Sequence, residues 1–336
     1  MTLVERIRYF WGRHGNSCNL LLFFIGIMIF PLVQDNPYNL GLTNQIAINV
    51  IIVLGLNLFV GYAGQISLGH AGFFALGAYG SAILTVNFGI WPWPAMAITA
   101  MLVGLVALAI GIPTLRLSGH YLAMATLGFN IVIYTVLLQW DKVTGGPDGF
   151  VGTIEPLSVG TLPIDDEIRF HYLVWGMVFL LVTLCLNLVR SGVGRGLASL
   201  AADERAAGAL GVNTAQAKVK IFALSAIFAS IGGSLYSHCF LFINPDTFSI
   251  FHSVDFVIMV VVGGLGSVWG GLFGAGLITY LPELLDAFEA YKDIIHGLIL
   301  VLILLYFPQG FVAGLVDMWR TKRALKKQLK QLPTNA

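Results

Sequence analysis

One pair of residues has the types and spacing for nucleophilic chemistry. Ser67 and His70 lie three apart in the glycine-rich segment Gly61-Tyr-Ala-Gly-Gln-Ile-Ser-Leu-Gly-His-Ala-Gly72, where a hydroxyl and an imidazole could serve as nucleophile and base. On a helix, such a pair more often bonds to neighbouring helices or backbone, and that reading is preferred. The other histidines, His14, His120, His171, His238, His252 and His296, are scattered, and no two are three or four residues apart. A metal site is therefore not expected. Cys18, Cys185 and Cys239 sit in or beside apolar runs without metal-ligand spacing and read as buried thiols. The motifs HExxH, CxxC, GxGxxG and GxxxxGK followed by Ser or Thr are absent. No catalytic residue and no cofactor in this chain is expected. Without a phosphate loop it does not hydrolyse ATP alone, so any energy from ATP comes from a partner.

The elements that hold these residues belong to a membrane protein. Of 336 residues, 57% are hydrophobic and only 10% charged, with a mean hydropathy of +0.84. Soluble domains carry about 25% charged residues, so a water-soluble enzyme is excluded. The 39 glycines suit helices that approach closely. The apolar runs are continuous, unlike the alternating segments of an outer-membrane barrel. The expected fold is an all-α integral membrane protein with about ten transmembrane helices, some short or broken at glycine-rich segments.

Candidate spans fall at about 18–33, 43–61, 66–87, 94–112, 119–139, 171–190, 219–240, 254–264, 267–285 and 293–311. Arg6, Arg8 and Arg13 precede the first run as in a signal peptide, but no small-x-small cleavage site follows, so it reads as a retained span. The positive-inside rule sets orientation. With the N-terminus inside, Arg116, Arg190, Arg195, Arg205, Lys218, Lys220 and the basic tail also lie inside. The outer segments carry Asp141, Asp148, Glu155, Asp165, Asp166, Glu167, Asp286, Glu289 and Asp293. Both termini are thus cytoplasmic, which needs an even number of crossings. Dividing 254–285 around 263–271 supplies it. The organisation is one transmembrane domain over 1–312, with an outer loop at about 140–170 and an inner segment at about 191–218. The tail 313–336 reads as an amphipathic piece lying on anionic lipid, and no nucleic-acid partner is expected.

Within the spans the polar groups are mostly uncharged: Gln65, Ser67, Thr126, Asn130, Ser225, Ser230, Ser234 and Ser267. Asp255 and Glu283 fall near span ends. Such scarcity of ionisable groups argues against a carrier driven by an ion gradient. Gly266, Gly270 and Gly274 are spaced to make one smooth helix face. Val60-Gly61-x-x-Gly64 and Val262-Gly263-x-x-Gly266 form a weak internal echo. The inner segment reads as one short Ala-rich helix at about 197–210, ending at Gly211, small-sided enough to dock on another protein.

Four stretches make the chain resemble the LivM-type permease subunits of branched-chain amino acid ABC importers, over roughly 40–312. They are Leu56-Asn-Leu-Phe-Val-Gly-Tyr-Ala-Gly-Gln-Ile-Ser-Leu-Gly-His-Ala-Gly-Phe-Phe-Ala-Leu-Gly-Ala-Tyr79, then Tyr121-Leu-Ala-Met-Ala-Thr-Leu-Gly128 with Thr144-Gly-Gly-Pro-Asp-Gly149, then Ala206-Ala-Gly-Ala-Leu-Gly-Val-Asn213, and Val262-Gly-Gly-Leu-Gly-Ser-Val-Trp-Gly-Gly271. The third looks like the permease coupling loop EAA-x-x-x-G. It departs where Arg205 replaces the Glu, although Glu204 is adjacent, and no Pro follows Leu224.

The resemblance implies a multi-pass protein of the bacterial inner membrane. Its partners would be a LivH-like second permease subunit, two ATPase subunits that bind ATP and Mg, and a periplasmic substrate-binding protein. The implied substrates are leucine, isoleucine and valine, with urea, short amides or other amino acids as alternatives within the family. An ion-driven carrier or channel is the alternative from another class. Ala206, Ala207, Gly208, Leu210, Gly211, Val212 and Asn213 would couple to the ATPase. Gly61, Gly64, Gln65, Ser67, Gly69, His70, Gly263, Gly264, Gly266 and Ser267 would line or hinge the passage. Thr144, Gly145, Gly146, Asp148 and Gly149 would face the binding protein.

Overall fold

The computed structural model describes residues 23–32, 34, 36–150, 152–159, 162–164, 166–285 and 292–306. Arg6, Arg8, Arg13, Cys18 and the basic tail lie outside the described residues. Apolar runs fold as helices because a helix satisfies its own backbone groups without water. The helices are α1 (Phe23–Leu32), α2 (Pro37–Asn57), α3 (His70–Val86), α4 (Pro92–Thr114), α5 (His120–Gln139), the short α6 (Asp141–Thr144) and α7 (Glu167–Arg190). They continue with α8 (Gly192–Ala202), α9 (Glu204–Ala209), α10 (Thr214–Phe240), α11 (Ile250–Gly263), α12 (Val268–Leu284) and α13 (Lys292–Tyr306). Among the described residues the only strands are a two-residue antiparallel pair, β1 (Ser158–Val159) and β2 (Leu162–Pro163).

Local signals set the helix starts. Asn36 Oδ1 accepts from the Tyr38 N–H at 3.1 Å and Pro37 opens the first turn of α2. Asn213 caps α10 in the same way, through the Gln216 N–H at 3.1 Å. Among the described residues five helices, α2 (with the π-helical turn Leu58–Tyr62 that extends it), α4, α5, α7 and α10, are long and apolar enough to cross a membrane. Others are shorter: the 14 residues of α11 cover about 21 Å at 1.5 Å per residue, against an apolar bilayer core of about 30 Å.

The core is built on α2 and α10. α10 runs parallel to α3, so His70 meets Ser225 at one end and Ser81 meets His238 at the other. The two helices touch through glycine: a methyl on Gly77 would strike the Ser230 backbone, and one on Gly233 the Phe74 carbonyl. α2 and α4 both run antiparallel to α10, with Gly55 on Phe228, Gly232 on Ile52, Gly111 on Phe222 and Gly104 on Ile227. α12 runs antiparallel to α2, linked by Asn49 Nδ2 to Thr279 Oγ1 at 2.9 Å and by Tyr38 to Glu283. α11 and α12 form an antiparallel hairpin whose seam is Gly263 against Gly270 and Met259 against Gly274.

Three sequence expectations need correction. The inner segment is two helices rather than one, because the Asp203 carboxylate accepts from the Arg205 and Ala206 N–H groups at 2.8 and 3.0 Å and starts a new helix there. Residues 66–69 are not helical, so Ser67 precedes the helix that carries His70. Gly266 lies in the turn before α12 at a φ of 70°, off the helix face formed by Gly270 and Gly274.

Candidate functional site

The glycine-rich segments meet at one end of the core. α2 gives way at Leu58–Tyr62 to a π-helical turn, and residues 63–69 climb back without regular structure to the start of α3. Non-helical backbone in a membrane must find partners within the protein. Here the Gln65 N–H bonds the Phe59 carbonyl at 3.2 Å, the Leu68 N–H bonds Thr126 Oγ1 at 3.0 Å, and the Ala71 N–H bonds Ser253 Oγ at 3.0 Å. Thr126 in turn donates to the Leu122 and Ala123 carbonyls of its own helix.

His70 closes this network, fully buried. Ser225 Oγ donates to the Phe222 carbonyl at 2.8 Å, so it accepts from His70 Nε2 at 3.1 Å. His70 Nδ1 then accepts from Ser67 Oγ at 3.2 Å. The pair has hydrogen-bond geometry, but both side chains are sealed from solvent and the imidazole's second nitrogen bonds a serine, with no carboxylate behind it. This is a packing joint between the 63–69 segment, α3 and α10.

The second segment is the turn between α11 and α12. Asn57, on the last turn of α2, grips it from both sides: Nδ2 donates to the Ser267 carbonyl at 2.8 Å, and Oδ1 accepts from the Gly266 N–H at 3.1 Å. Ser267 Oγ caps α12 through the Gly270 N–H at 3.0 Å. Sequence reasoning did not single out Asn57. Its signal was present, since an amide inside an apolar run must find a partner. Gly64 and Gly266, the matching positions of the Val-Gly-x-x-Gly echo, have φ values of 68° and 70°, a conformation that favours glycine. The other passage residues divide by exposure. Gly64 is exposed and Gln65 partly so, while Ser67, Gly69, His70, Gly263 and Gly264 are buried. Asn130 lies against Gly72, and neither of its amide atoms has a hydrogen-bond partner among the described residues.

The inner segment packs beneath this joint. A Cβ on Gly64 would sit 3.1 Å from the Ala201 Cα of α8. Among the coupling candidates, Ala206, Gly208, Leu210, Gly211 and Asn213 are exposed, Val212 is half-buried and Ala207 is buried. Leu210 is 82% exposed, an unusual state for a leucine. Glu204 pairs with Lys218, fixing α9 to α10.

At the opposite end, Thr144 is buried and bonds the Leu137 carbonyl at 2.7 Å, with Gly145, Gly146 and Gly149 all at positive φ. The Phe150 N–H bonds the Ile243 carbonyl at 2.9 Å, so this turn is packed against the chain leaving α10. Of the residues expected to face a binding protein, Asp148 is exposed and Gly145 half-buried, while Thr144, Gly146 and Gly149 are buried. Further along the loop, His238 Nδ1 donates to the Glu155 carbonyl at 2.7 Å. Trp91 and Trp93 both donate to Ser158, at 2.7 Å each.

The family model described as branched-chain amino acid transport system, permease component, matches residues 38–304. The chain belongs to this permease family. The permease is 31% identical to the high-affinity branched-chain amino acid transport system permease protein LivM of Escherichia coli (strain K12), over 93% of this chain and 78% of that one. It is 25% identical to the LivH permease protein of Salmonella typhimurium, over 78% of this chain and 90% of that one. It is also 25% identical to the galactose/methyl galactoside import permease protein MglC of the same organism, over 81% and 86%. No solved structure matches the permease. It is a LivM-type, multi-pass membrane protein, and its matched segment includes both glycine-rich turns and the inner segment.

Proposed function

We propose that the chain is the membrane-spanning subunit of an ATP-driven importer of leucine, isoleucine and valine. The observation that carries this is likeness to LivM along nearly the whole chain, where likeness to the sugar permease MglC is weaker. The partners are a LivH-like permease, two ATPases that bind ATP and Mg, and a periplasmic binding protein, in a bacterial inner membrane. Residues 1–312 form one permease domain and 313–336 a cytoplasmic tail. Ten crossings agree with the relative helix directions, in which α2 and α4 oppose α10, α3 follows it, α12 opposes α2, and α11 opposes α12, and the placement of Arg and Lys residues puts both termini inside. Strict alternation along the chain requires each of these relations.

In this mechanism the inner segment is the mechanical contact. ATP-driven closure of the ATPases pushes on α9 and on Leu210. Motion passes from α8 through Ala201 to Gly64, and from the end of α2 through Asn57 to the α11–α12 turn. Rocking of these glycine-jointed pieces opens the passage to one side and then the other. Thr144–Gly149 and its neighbours offer the outer face to the binding protein.

The test is a tagged purification in mild detergent with mass spectrometry of what stays bound, followed by uptake of labelled leucine into vesicles. Retention of an ATPase and a second permease, with ATP-dependent leucine uptake competed by isoleucine and valine, is the expected result. A chain that purifies alone and moves solute without ATP overturns the proposal. Competition by urea or alanine, with none by valine, would move the substrate within the family.

A further inference from the structure

Where α4 ends and α10 begins, an apolar cleft of about 540 Å³ opens on the side of the bundle. Leu108 and Ile112 of α4 form one wall and Val219 of α10 the other. The mouth is cationic. Lys218 is 4% exposed and pairs with Glu204, while Arg116 and Lys220 are exposed and make no ion pair among the described residues. Above the cleft, α4 presents Met101, Leu102 and Leu105 outward, an uninterrupted apolar strip. An apolar slot that runs into unpaired cations at the level where a membrane helix ends matches the shape of a charged lipid. A free phosphate or nucleotide would leave the slot empty, and a neutral lipid would leave the cations unanswered.

We propose that this cleft holds an anionic phospholipid of the cytoplasmic leaflet. Its phosphate lies between Arg116 and Lys220, and one acyl chain runs along Leu108 and Ile112. The Lys218–Glu204 pair is neutral and leaves Arg116 and Lys220 as the cations of the mouth; it also joins the floor to α9, so the lipid sits beside the segment proposed to meet the ATPase. The proposal takes only its choice of leaflet from the orientation argued above.

The test uses the assembled permease complex in nanodiscs of phosphatidylcholine containing phosphatidylglycerol, re-extracted in mild detergent, with the retained lipids counted by native mass spectrometry. Wild type should retain phosphatidylglycerol over phosphatidylcholine. The double variant Arg116→Gln/Lys220→Gln should lose that preference at least fivefold, and Arg190→Gln, a cation outside the cleft, should not. Ile112→Trp fills the slot without touching a charge and should give the same loss, which separates a seated lipid from general surface attraction. Equal retention in all variants overturns the proposal. Displacement of the lipid by millimolar inorganic phosphate would show a small-anion site instead. A disulfide or maleimide link from Val219→Cys to the ATPase in the assembled complex would give the cleft to protein. Labelling of Lys220→Cys by an impermeant thiol reagent from outside the cell would overturn the orientation alone, leaving lipid retention as a separate reading.

Discussion

Gly61 rests directly on Gly266, and a methyl group added to Gly61 would strike both the Gly266 N–H and Asn57 Oδ1. The first glycine of one Val-Gly-x-x-Gly stretch thus packs on the last glycine of the other. This contact ties the end of α2 to the α11–α12 turn, and little space exists for it to relax.

Gly61→Ala is expected to force the two turns apart, at a cost of about 1–3 kcal/mol as in other overpacked cores. Thermal melting of the purified complex should fall, and leucine uptake in vesicles should drop at least tenfold. Gly128→Ala is the control, since a Cβ there meets nothing within 4 Å. Equal uptake by the two variants would show that the contact is dispensable.

Asn57→Ala leaves the Gly266 N–H and the Ser267 carbonyl without their partner. Each unsatisfied group costs about 1–3 kcal/mol if buried. Asn57→Asp keeps the acceptor but sets a buried carboxylate oxygen against the Ser267 carbonyl, so it should melt no higher than the Ala variant. A cysteine at Ser267 should become more reactive to small thiol reagents in the Ala variant. Unchanged reactivity would mean that other contacts hold the turn.

Ser67→Ala should leave ATP-dependent uptake within about twofold, because the hydroxyl serves two long hydrogen bonds, to His70 Nδ1 at 3.2 Å and from the Gly69 N–H at 3.4 Å, each worth about 0.5–1.5 kcal/mol. His70→Phe should be worse, since it removes one partner from each of Ser67 and Ser225 and adds bulk beside Phe73. An uptake assay that found Ser67→Ala inactive in a complex of normal stability would restore a chemical role for the pair.

Gly208→Trp should abolish coupling without unfolding the chain. Gly208 is exposed on α9 and a Cβ there meets nothing within 4 Å, so only a partner would feel the indole. Leu210→Asp should act in the same direction by charging the exposed leucine. The readout is ATPase activity stimulated by loaded binding protein, expected to fall at least tenfold while the melting temperature holds. Gly211→Ala differs: its φ of 89° costs about 1–2 kcal/mol in any L-residue, so stability falls as well.

Much of this arrangement was legible in the residues. Apolar run length located the long apolar helices from Pro37 onward to within one or two turns, because a bilayer leaves the backbone few choices. The glycine-rich breaks were visible as well, and the split of 254–285 has its counterpart in the α11–α12 turn. Local competition between caps and helices was harder to read. Asp203 starts a second helix because its carboxylate reaches two N–H groups, a choice that helix periodicity does not reveal. Asn57 went unmarked because its partners are backbone groups far along the chain, and a partner amide leaves no trace in side-chain spacing. Within residues 206–213 the inward turn of Ala207 and the capping role of Asn213 depend on how α9 sits against α10, which spacing alone does not reveal.

The two indoles fixed on Ser158 have a consequence for encounters at the loop they hold, the outer surface in the proposed orientation. Trp91 and Trp93 sit at the start of α4, and both anchor the same residue of a loop that His238 also fastens through Glu155. A loop pinned at several points arrives at a docking event with its shape already paid for in folding. Binding there forfeits little conformational entropy, so recognition can stay brief and reversible yet selective. Such a rim would suit the binding protein of the proposed importer, which must deliver its cargo and leave on every cycle.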